Sequence, residues 1–185
     1  IYALKGIGID AMKEVTRVQI GNPAGIIAAM SRGDVDAACT FEPSASVILS
    51  QQGATMISDL TRESFGASHG GMYIRDAYVR EQPAAVEAIV AATVKAIDFV
   101  NANKEAYVER TMQITGQTRE IATLAVGNVS PSWAMPMNTI RGICKAVHEL
   151  GLEDRDVSAV IGQRVNYSFL EKITGRPKAE LGYVA

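Results

Sequence analysis

The stretch PAGIIAAMSRGDVDAACTFEP, Pro23 to Pro43, decides how this chain is read. Asn22 and Pro23 mark a helix start: asparagine caps, and proline takes a first-turn position whose N–H would have no intrahelical partner. Ile26, Ile27 and Met30 share one helical face, and Gly33 supplies the stop. Val35 to Cys39 then reads as a short apolar strand running out into Thr40, Phe41 and Glu42, with Pro43 opening the next helix. Arg32-Gly33-Asp34 spells an adhesion tripeptide, but a helix stop followed by a strand start accounts for it without a partner.

On the N-terminal side, Val15-Thr16-Arg17-Val18-Gln19-Ile20 alternates and is rich in β-branched residues, as a half-buried strand would be. Strand, helix and strand within about 25 residues form a βαβ unit, whose crossover implies parallel pairing. Beyond Pro43 a helix through Leu49 closes near Gly53, and Ala54 to Ile57 is a third short strand. Ser58 to Gly71 is a polar, glycine-bearing loop, and Met72 to Ile74 a fourth strand. From Pro83 the pattern turns helical, with Val86, Ile89, Val90, Val94, Ile97 and Val100 on one side of a long helix broken at Asn101-Ala102-Asn103. Helices are predicted over Lys104–Thr115, Thr118–Asn128 and Met137–Leu150, with shorter elements around Val157–Ile161 and Tyr167–Ile173. The expected fold is α/β: residues 1–75 form a lobe with a small, mostly parallel sheet, and residues 76–185 form a helical part that packs on it.

The 185 residues are 48% apolar and 21% charged, the balance of a globular domain, with a formal charge of −2. That charge, and the lack of any basic run, gives no electrostatic case for nucleic acid or an anionic membrane. Pro83 to Val100 is the most apolar-leaning stretch, yet it contains Glu87, Lys95 and Asp98, so no transmembrane span is expected. Cys39 and Cys144 match no metal spacing and read as one disulfide or as two buried free thiols. The first residue is Ile1, with no charged-then-apolar targeting segment, which reads as a processed product or a piece of something longer.

Few residues offer chemistry. His69 and His148 lie too far apart in sequence to form a pre-spaced metal pair. His148 falls on a helix and reads as a surface or structurally satisfied side chain. His69, in Ser68-His69-Gly70-Gly71 before a strand, has the setting of a ligand contact. Cys39 with His69 could be drawn as nucleophile and base, but a thiol inside an apolar strand is usually an inert hydrophobe. Gly6-Ile7-Gly8 and Gly70-Gly71 lack the further residues of dinucleotide or phosphate loops. Trp133, in the loop Ser130–Pro136, either lines a cleft or plugs helix packing. Glu42 has two readings. Ligands of open α/β sheets bind beyond the carboxyl ends of parallel strands, which puts Thr40, Phe41 and Glu42 at a binding rim. Equally, an acid beside a helix start is favoured by the helix dipole with no ligand at all.

The ordered set Ala28-Ala29-Met30, Gly33, Val35-Asp36-Ala37, Glu42-Pro43, Gly53-Ala54 and Pro83 resembles the NMT1/THI5-like substrate-binding proteins of ABC importers, which include sulfonate, nitrate and thiamine-precursor binders. The likeness covers roughly Gly8 to Asn103. It implies a type II periplasmic-binding fold, with the N-terminal portion missing and a solute clamped between two lobes. The same resemblance implies a binding protein that is not an enzyme, needs no cofactor or metal, works as a monomer and hands its solute to a membrane permease. Its place would be periplasmic or otherwise extracytoplasmic, free or lipid-anchored. Asn22, Thr40, Phe41, Glu42, Ser68, His69 and Tyr73 are the expected ligand contacts, and an acid at Glu42 suits a cationic or hydrogen-bond-donating solute. The alternatives are an enzyme of the pyrimidine-synthase type, whose cysteine-rich iron motif two cysteines cannot supply, and the sensing domain of a regulator.

Overall fold

A computed structural model describes Leu4, residues 8–57 and residues 70–184, without the side chains of Gln51 and Gln52. Its helices are α1 (Pro23–Arg32), α2 (Ser44–Gln52), α3 (Asp76–Glu81), α4 (Pro83–Ala102), α5 (Lys104–Thr115), α6 (Arg119–Asn128), α7 (Met137–Glu149) and α8 (Ser168–Thr174), with a 3-10 turn at Ile161–Arg164. Helix starts follow local chemistry. Asn22 Oδ1 accepts from Gly25 N at 2.7 Å, and Thr118 Oγ1 accepts from Ile121 N at 3.3 Å. Gly33, Gly53, Gly116 and Gly175 end α1, α2, α5 and α8 in the left-handed conformation that lacks a steric penalty only for glycine.

The α/β expectation is overturned. Among the described residues no strand and no sheet forms. Residues 15–20, 35–39, 54–57 and 72–74, each expected to be a strand, carry no ladder hydrogen bonds to any described residue. A strand exists only through pairing with a neighbour, and alternation of side chains does not supply that neighbour. Their apolar side chains are correspondingly open to solvent: Val18 is 59%, Ile57 84% and Tyr73 92% exposed. Cys39 is exposed rather than buried in a strand, Cys144 is half-buried, and both are free thiols.

The chain divides into two compact units. The first comprises the described residues of Ala3–Ile57 and Asp98–Pro131. Within it α2 packs on α1 and on α6, and α5 packs on α6. Val108, Ala122 and Val126 form a buried cluster, with Tyr107 and Met112 against it. Arg119 at the start of α6 pairs with Glu105, and its Nη2 lies 3.7 Å from Glu109, tying the two helices at their surface.

The second unit comprises the described residues of Ser58–Ile97 and Ser132–Ala185. Its core is Val94, Met137, Tyr167, Leu170 and Leu181, with Trp133, Met135 and Ile161 packed around them. Trp133 therefore fills packing, and Arg176 lies over its ring at 5.3 Å. The C-terminal tail is pinned by Met135 N to Leu181 O (2.9 Å) and Met137 N to Gly182 O (2.8 Å). Gly182 has φ 99°, and a Cβ there would stand 2.6 Å from Met135 O, so only glycine fits.

Candidate functional site

Glu42 precedes Pro43 and stands one turn before the body of α2, so its carboxylate meets the N–H groups that helix geometry leaves unpaired. Its Oε2 accepts from Ser46 N at 3.1 Å, and its Oε1 accepts from Asn128 Nδ2 at 2.7 Å. Asn128 is the last residue of α6, so one half-buried acid links the start of α2 to the end of α6. Favourable placement of a negative charge near a helix start explains the first contact. Close packing of α2 on α6 explains the second.

Two hydroxyls beside this acid in the chain are buried without hydrogen-bond partners among the described residues, Thr40 Oγ1 and Ser46 Oγ. Ser46 is almost wholly enclosed on the inner face of α2, next to the buried Val47 and Ile48. A buried hydroxyl left without a partner costs about 1–3 kcal/mol, so each of the two is a local cost to the fold. Chemically Glu42 offers a half-buried anion held by one backbone N–H and one side-chain amide, and its Oε1 suits an N–H donor.

The other expected contacts fall out differently. Asn22 is exposed and uses its side-chain oxygen on the cap of α1. Phe41 is 61% exposed. Tyr73 belongs to the other unit and lies open to solvent. Ser68 and His69 lie outside the described residues. Thr40, Phe41 and Glu42 are thus brought together with Asn22 only to the extent that all four belong to the first unit. Sequence reasoning missed Asn128, which is 86 residues from Glu42 and carried no signal of its own. The bond to Ser46 N is local, four residues away, and follows from an acid placed just before a helix start.

Elsewhere, His148 Nδ1 lies 3.0 Å from Glu153 O, a structural contact at the end of α7. Burial pushes the Cys144 thiol up, with the Asp156 carboxylate adding to the effect, which is unfavourable for a nucleophile. Among the described residues no group of three or more His, Cys, Asp or Glu is gathered to hold a metal ion. No helix among them is long and apolar enough to cross a membrane.

The sequence profile of the NMT1-like family matches residues 1–115, which is more than half of the chain and includes Glu42, Thr40 and the whole of α1 and α2. The chain belongs to the NMT1-like family. Searches of curated proteins and of solved structures found no match.

Proposed function

We propose that this chain is a solute-binding protein that takes up a small polar organic molecule outside the cytoplasm and delivers it to an ABC importer. Membership of the NMT1-like family over residues 1–115 is the observation that carries this reading. The half-buried Glu42 carboxylate supplies the polar contact for a cationic or hydrogen-bond-donating solute. Such a solute would replace the Asn128 amide on Oε1, exchanging one charged hydrogen bond for a stronger one. No step of bond making or breaking is required, and the protein acts by affinity alone.

Thermal melting of the protein against amines, aminopyrimidines, sulfonates and aromatic acids tests the proposal. A ligand that binds only the folded state raises the midpoint by mass action. An amine or aminopyrimidine is expected to give the largest rise, and Glu42→Gln should weaken its binding by about 1.5–3 kcal/mol. Silence across the whole panel, together with turnover of any one compound, would overturn the transport reading.

A further inference from the structure

We infer that the second unit carries a ligand site of its own, an open cavity of about 470 Å³ that takes a small organic carboxylate. Asp76, Arg164, Asn166, Glu171, Lys178 and Tyr183 border it, and all belong to the second unit, whereas Glu42 belongs to the first. Its volume falls in the range that suits a small organic ligand, about 300–1,000 Å³.

Local bonds set the walls before any ligand arrives. Asn166 Oδ1 accepts from Ser168 N at 2.9 Å and from Ser168 Oγ at 2.7 Å, which fixes the turn into α8. Glu171 Oε1 accepts from Lys178 N at 2.9 Å and ties the C-terminal tail to α8. Buried Tyr167 donates its hydroxyl to Met135 O at 2.6 Å, and Tyr183 stands edge-on to it with ring centres 5.7 Å apart. A rim held this way loses little freedom on binding.

Charge selects the ligand. Lys178 Nζ rests 4.1 Å from the centre of the Tyr183 ring, and among the described residues no carboxylate forms an ion pair with it. Arg164 Nη1 meets Asp76 Oδ2 at 3.3 Å, but both side chains are largely exposed, so that pair is weak and Arg164 is available to a ligand. The four charges of the lining balance, so an anion is drawn not by net charge but by Lys178, the cation with no carboxylate partner among the described residues. The carboxylates of Asp76 and Glu171 oppose a second negative charge, which favours a monocarboxylate over a phosphate dianion. The half-buried ring of Tyr183 offers apolar surface to the organic part.

Titration of the full chain at neutral pH with benzoate, propionate and inorganic phosphate, followed by calorimetry and NMR, tests the site. Benzoate or propionate should bind saturably, with phosphate at least about tenfold weaker. Lys178→Met should weaken the carboxylate about tenfold or more, while Lys178→Arg retains it. Glu171→Gln keeps an acceptor for the Lys178 N–H but removes a repelling charge, so it should tighten binding. Glu42→Gln should leave this affinity unchanged, which separates the site from the one proposed for solute delivery. Absence of saturable carboxylate binding, phosphate binding as tightly, or an unaltered affinity in Lys178→Met would each overturn the inference.

Discussion

Both carboxylate oxygens of Glu42 accept hydrogen bonds, one from the backbone of α2 and one from the end of α6. The acid was legible as a charge at a helix start, because Pro43 follows it and an apolar helix comes next. Its second partner was not legible, since nothing in the local pattern around Asn128 refers to residue 42. A double-mutant cycle with Glu42→Ala and Asn128→Ala isolates their coupling, expected at about 0.5–1.5 kcal/mol in urea unfolding. Additive single effects would show that the contact contributes nothing to stability.

Elements with strong end signals formed where their sequences place them. Asn22 with Pro23 starts α1, Thr118 caps α6, and left-handed glycines stop α1, α2, α5 and α8. Replacing Asn22 by alanine removes the bond to Gly25 N and should cost about 1 kcal/mol in thermal or urea unfolding, with Asn22→Gly costing only a few tenths. Helix α3, Asp76–Glu81, had no comparable signal. It is one and a half turns long, too short for a hydrophobic period to show, and Gln82-Pro83 follows at once. The β-branched stretches erred in the other direction. Val15 to Ile20 has a strand's alternation, but alternation states only which side chains would share a face if a partner strand were present.

Among the described residues, most of the burial belongs to helices. The first unit gathers its core between α5 and α6, and the second gathers α4, α7, α8 and the C-terminal tail around Met137 and Leu181. Residues 15–20 and 35–39 have backbone N–H groups with no acceptor among the described residues. Native-state hydrogen exchange should therefore release their amides well before those of the buried turns of α4 near Val86 and Val94. Protection of residues 35–39 equal to that of α4 would restore the strand reading. By itself the sequence determined the helix starts, the helix stops and the acid before Pro43, because caps, prolines and left-handed glycines act within a few residues. Only the tertiary structure decided that the strand-like stretches stay unpaired among the described residues, that Asn128 reaches Glu42, and that Lys178 lies on Tyr183. Each of these depends on segments far apart in the chain, and short-range chemistry carries no record of which distant surface will meet it.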